Sequence, residues 1–153
     1  MKVLGICLGA STVTAVSLEG DVATPCIIDR HIRPHDGNPR RTLLDVLDAI
    51  SPEGFERIVV TGRKFRHYVN LTTIPEPEAV EHAYAFVQPP GGSCQAIVSA
   101  GGETFMVYVL DGRGRIGNVI TGNKCASGTG EFFLQQLRRM NVSLEEAARW
   151  AVD

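Results

Sequence analysis

The 153-residue chain is short of charge of one sign, of long apolar runs and of paired cysteines, and each shortage removes a class of function. Fifteen Lys and Arg stand against 17 Asp and Glu, for a formal net charge of −2. That balance leaves no electrostatic footprint for gripping nucleic acid. No apolar run approaches the roughly 20 residues that cross a bilayer, so no membrane helix is expected. The opening Met1-Lys2-Val3-Leu4-Gly5-Ile6-Cys7-Leu8 faintly imitates a secretion signal. Its apolar stretch is short, carries Gly5 and Gly9, and runs straight into Ser11-Thr12-Val13-Thr14, which reads better as a buried strand. The four cysteines, at 7, 26, 94 and 125, form no C-x-x-C pair. A disulfide framework or self-contained zinc site is therefore not expected, and the chain reads as cytoplasmic with reduced thiols. Hydrophobic residues make up 44% and charged ones 21%, enough to bury a core and too apolar for global disorder.

What the chain does have is an internal repeat. Gly5-Ile6-Cys7-Leu8-Gly9-Ala10 is echoed by Ile97-Val98-Ser99-Ala100-Gly101-Gly102, an offset of 92 that carries Gly9 to Gly101, Leu18 to Leu110 and Gly20 to Gly112. Each copy reads as strand, small-residue turn, strand, acidic-Gly turn, strand. The expected strands are 2–8, 12–18 and 25–32, then 94–99, 104–110 and 114–120. Between the copies, Leu43, Leu44, Val46, Leu47 and Ile50 fall at helical spacing over 39–50. Ile58-Val59-Val60 marks a buried strand over 57–61, and a helix over 76–87 is expected to turn Ala79, Val80, Ala83, Phe86 and Val87 to a core. Gln88-Pro89-Pro90-Gly91-Gly92 is the best domain boundary. After the second copy, Gly128-Thr129-Gly130 opens a helix to about Met140, and Ser143 caps another.

Three stretches carry chemistry. Gly9, Ala10, Ser11 and Thr12 offer closely spaced amides, two hydroxyls and no bulk, which suits phosphate; an ordinary β-turn is the alternative. Gly101, Gly102, Glu103 and Thr104 repeat it, and two such turns can grip one polyphosphate. The loop Asn123-Lys124-Cys125-Ala126-Ser127-Gly128-Thr129-Gly130 places Cys125 beside Lys124 and just before a helix, and both favour thiolate. A thiolate is what a soft metal or iron–sulfur cluster requires, while a helix cap with an incidental buried cysteine reads equally well. Glu78 and His82, one turn apart, read as an exposed pair; Arg63-Lys64-Phe65-Arg66-His67 reads as a solvated loop. Cys7, Cys26 and Cys94 lie in or at the start of apolar strands and read as core residues.

These motifs together resemble the activator ATPases of 2-hydroxyacyl-CoA dehydratases and benzoyl-CoA reductases, within the actin/hexokinase/acetate-kinase fold group. The resemblance runs in order through Gly5–Thr12, Val60-Thr61-Gly62, Pro77–Tyr84, Ala100-Gly101-Gly102-Glu103 and Asn123–Gly130, the last being the most specific. It implies an α/β, actin-like (ribonuclease H-like) ATPase fold of two duplicated βββα-type lobes, 1–90 and 91–153, the second incomplete. It further implies ATP and Mg2+ between the lobes, with phosphates on Gly9, Ala10, Ser11, Thr12, Gly101, Gly102 and Glu103. A [4Fe-4S] cluster shared across a homodimer would take Cys125 as one ligand, and the partner would be a CoA-ester dehydratase or reductase receiving an electron. The second cluster ligand and the adenine site would lie beyond Asp153. Catalytic residues are not assigned, because the family's acids fall where this chain has Cys7 and Ser99, and its basic residue where Val13, Thr14 and Ala15 stand. Those replacements favour a second reading, an inactive actin-like lobe serving as a nucleotide-binding or dimerisation module of a larger fused protein.

Overall fold

The computed structural model describes residues 1–62, 66–88, 92, 94–102, 104–122 and 130–151. The chain divides into two compact units, Met1–Pro89 and Pro90–Asp153.

In the first unit β1 (Lys2–Leu8), β2 (Thr12–Glu19), β3 (Cys26–Pro34), β4 (Arg57–Thr61) and β5 (Thr72–Thr73) form one sheet in the order β3-β2-β1-β4-β5. β1 sits at its centre, antiparallel to β2 and parallel to β4. The two-residue alternation of β1 sends Leu4, Ile6 and Leu8 to one face, where they meet Val13, Ala15 and Val60. Helix α1 (Pro39–Ile50) closes that face with Leu43 and Val46. Truncating one of these large side chains, Ile6→Ala for instance, costs about 2–5 kcal/mol through lost burial and the cavity left behind. α1 starts sharply because Asn38 accepts the Arg41 amide and Pro39 occupies the first turn, and it stops at Ser51 in a left-handed conformation. Leu44, expected on the buried stripe, is 57% exposed.

The opposite sheet face is covered differently from the expectation. Helix α2 (Glu76–Val87) begins after Pro75 as anticipated, yet none of its residues is fully buried, and Phe86 and Val87 are exposed. Between α2 and the sheet runs a groove of about 890 Å3, lined by Gly5, Val16, Leu18 and Val59 on one side and Ala79, Ala83 and Phe86 on the other. β3 is the sheet's edge strand and largely exposed, so Cys26 at its start is not a core residue. The two-residue β5 is too short to leave an alternating pattern in sequence.

The second unit holds β6 (Ala96–Ala100), β7 (Phe105–Leu110) and β8 (Ile116–Thr121) as an antiparallel sheet, then α3 (Gly130–Arg139) and α4 (Leu144–Trp150). Met106, Tyr108 and Leu110 alternate along β7 and are buried. α4 opens on a full capping box: Ser143 Oγ accepts the Glu146 amide, and Glu146 accepts the Ser143 amide. Cys94, ahead of β6, is exposed, again not a core residue. Among the described residues no helix is long and apolar enough to cross a membrane.

Candidate functional site

The turn joining β1 to β2 is Gly9-Ala10-Ser11, closed by the Gly9 amide donating to the Thr12 carbonyl at 2.9 Å. Glycine eases that close approach, since a Cβ would stand 3.1 Å from that carbonyl oxygen. The turn joining β6 to β7 is built the same way: the Gly101 amide donates to the Thr104 carbonyl at 2.8 Å, and a Cβ on Gly101 would stand 3.3 Å from its oxygen. The first amide of α3, Gly130, donates to the Gly101 carbonyl at 3.3 Å, so that helix begins against the second turn. Glu103 and Cys125 lie outside the described residues, as does Arg63-Lys64-Phe65.

Beneath the first turn, one row of side chains crosses the open sheet face. Cys7 on β1 pairs with Thr14 on β2 and with Thr61 on β4. This row forms the polar end of the groove, nearest the turn. Thr61 Oγ1 is buried there without a hydrogen-bond partner. The next residue, Gly62, has φ +123, and any Cβ would strike the Leu8 carbonyl, so the end of β4 is locked against the end of β1. Burial pushes the Cys7 thiol above its ordinary pKa, and the Glu76 carboxylate nearby pushes it further. Cys7 is therefore a neutral thiol at physiological pH.

Glu76, the first residue of α2, is the functional candidate that sequence reasoning passed over. The Ile74 amide donates to the Val60 carbonyl at 3.0 Å, which lays the start of α2 beside the end of β4 and brings this half-buried carboxylate to Cys7. The signal available in sequence was an acid after a short strand and between two prolines, Pro75-Glu76-Pro77. Glu78 and His82 are both exposed on α2. Ser99 pairs with Met106 across β6 and β7 and is half-buried. Val13 and Ala15, at positions where a basic residue was expected, are fully buried core.

Mg2+ takes hard oxygen ligands. At the position of the expected acid the sheet offers a neutral thiol, which does not fit such an ion, and Glu76 is the acid beside it. Among the described residues no three His, Cys, Asp or Glu side chains gather as a metal site.

No family model matches the chain. The 2-hydroxyisocaproyl-CoA dehydratase activator of Clostridioides difficile is 29% identical over 98 residues, 63% of this chain and 36% of that protein. A solved structure of the activator of the 2-hydroxyisocaproyl-CoA dehydratase from Clostridium difficile, with bound ADPNP, superposes with a TM-score of 0.76 at 24% identity. It covers 94% of this chain, which in turn spans 53% of that structure. The ethanolamine utilization protein EutJ from Carboxydothermus hydrogenoformans gives a TM-score of 0.59 at 15% identity, over 100% of this chain and 62% of its own. A Ppx/GppA family member from Aquifex aeolicus gives 0.57 at 15%, over 80% and 51%. The chain has a mixed α/β, actin-like ATPase fold and is homologous to the 2-hydroxyisocaproyl-CoA dehydratase activator, spanning about half the length of the solved one.

Proposed function

We propose that this chain is the phosphate-gripping part of an activator-type ATPase that works with a CoA-ester dehydratase or reductase. The observation that carries the reading is the pair of identically closed turns, Gly9–Thr12 and Gly101–Thr104, in a chain homologous to such an activator. Small residues and closely spaced amides at each turn suit the oxygens of a nucleoside triphosphate. Glu76 stands where a carboxylate can order water or an ion beside the first turn, a place Cys7 cannot fill. Cys125 serves as one thiolate ligand of a [4Fe-4S] cluster bridging a homodimer, and nucleotide turnover delivers an electron through it to the partner enzyme.

Binding of ATP tests the reading. Ala10→Asp and Gly102→Asp each place an anion in one turn, and each is expected to weaken ATP by about ten-fold or more, a like-charge penalty of over a kcal/mol. Unchanged affinity in both variants overturns it. One observation favours the second reading, an inactive nucleotide-binding lobe: a half-buried thiol, Cys7, stands where the resemblance places an acid. Under that reading ATP binds without Mg2+-dependent hydrolysis.

A further inference from the structure

The link between β3 and α1 holds a histidine that the proposed reaction does not use. His35 is only 6% exposed. Its Nδ1 accepts the Gly37 amide at 3.1 Å, its carbonyl accepts the Asn38 amide at 2.6 Å, and its own amide donates to the Ser11 carbonyl at 3.0 Å. Asp36 and Gly37 both have positive φ, 45° and 85°, so the link is a tight turn wrapped around the imidazole. Asn38 then caps α1, whose Leu43 and Val46 are anchored in the core. A continuous set of bonds thus runs from the core through α1 and His35 to the first glycine turn.

We infer that His35 is a positioning residue for the phosphate turn: it fixes the Ser11–Thr12 peptide plane from below. A trans peptide carries its N–H antiparallel to its C=O, so tying the Ser11 carbonyl to the His35 amide sets the direction of the Thr12 amide. The imidazole does this through an acceptor two residues before Gly37, the geometry an Asx turn uses. Losing that acceptor frees the 35–38 turn and, with it, the plane that faces phosphate. The ligand part of this inference rests on the nucleotide reading above; the turn-holding part does not.

Two substitutions separate positioning from bulk packing. His35→Leu keeps comparable bulk and removes the acceptor; His35→Asn supplies Oδ1 as a replacement acceptor to Gly37. Hydrogen exchange at the His35 amide and ATP affinity are read in the full chain, with thermal melting confirming that each variant folds. His35→Leu is expected to speed exchange and weaken ATP by about ten-fold each, the value of one hydrogen bond, and His35→Asn to restore both to within about three-fold. Unchanged exchange in His35→Leu, or equal losses in both variants, overturns the inference. If the unaltered chain binds no ATP, the nucleotide reading fails separately, and the exchange comparison alone decides whether His35 holds the turn.

Discussion

Gly9 and Gly101 make the same bond in two separate units: each donates its amide to the carbonyl of a threonine three residues on, at 2.9 and 2.8 Å. The offset of 92 that relates them also relates an irregularity nobody would design twice. The ladder between β2 and β3 shifts register between Ser17 and Leu18, and that between β7 and β8 shifts between Val109 and Leu110. Bulges bend a strand at one place and persist as features of a fold. The antiparallel strands β1–β3 and β6–β8 repeat one another in backbone as well as in sequence.

Gly62 joins the end of β4 to β1. A side chain there is doubly opposed, by φ +123 and by the Leu8 carbonyl. Gly62→Ala is expected to destabilise the chain by more than about 2 kcal/mol, the strain of a side chain in that region plus displacement of Leu8. Urea denaturation measures it; a change within experimental scatter would mean that β4 ends elsewhere.

Cys7 should resist alkylation at neutral pH while the exposed Cys26 and Cys94 react. Because burial and then the Glu76 carboxylate raise its pKa, Glu76→Gln should move the midpoint of the rate–pH profile downward, though not to the ordinary thiol value. A chain with Cys26, Cys94 and Cys125 changed to Ser isolates the signal. An unmoved midpoint places Glu76 too far from Cys7 to matter.

Four carboxylates shape the acid limit of stability. Asp21 is lowered by hydrogen bonds from Thr24 and Ala23, Asp29 by Arg30 and His31, Asp111 by the Arg115 and Arg113 amides, and Glu146 by Ser143. Each folded pKa lies below its unfolded value, so the stabilisation is complete above the unfolded value and is lost as pH falls through the folded one. Urea midpoints should therefore decline on acidification. Asp111→Asn should flatten that decline, and an unaltered slope would remove Asp111 from the set.

For Cys125 the expectation concerns iron. Anaerobic reconstitution with iron and sulfide, of a polypeptide that also carries the second ligand expected after Asp153, should give a coloured dimer, with colour lost in Cys125→Ser and kept in Cys26→Ser and Cys94→Ser. A colourless product from that longer polypeptide counts against the cluster.

Much of this architecture could be read from residues alone, for identifiable reasons. The helix over 39–50 and the strand over 57–61 came out at the expected bounds because Asn38-Pro39 and Gly62 are strong local punctuation. Apolar spacing failed on α2, because alternating small and apolar residues such as Ala79, Ala83 and Phe86 fit a groove wall as well as a packed stripe. It failed on Cys26 because an edge strand and a central one share the same β-branched composition. The offset that aligned the turns misaligned burial: Val13 and Ala15 are buried in the first sheet, whereas their counterparts Phe105 and Val107 give way to Met106 and Tyr108 in the second. At the candidate site the turns were legible because glycine and threonine spacing is local. Glu76 was not, since its neighbour Cys7 is far away in sequence and only the parallel β1–β4 pairing brings the two together.

Amide shifts of the two turns during a titration with ADPNP test the central claim most directly. If both turns hold one triphosphate, Gly9, Ser11 and Thr12 move with Gly101, Gly102 and Thr104 along a single saturating curve, and Ala10→Asp moves the midpoint of both sets together to nucleotide concentrations about ten-fold higher or more. Shifts confined to one turn, or absent from both at saturating nucleotide, contradict it.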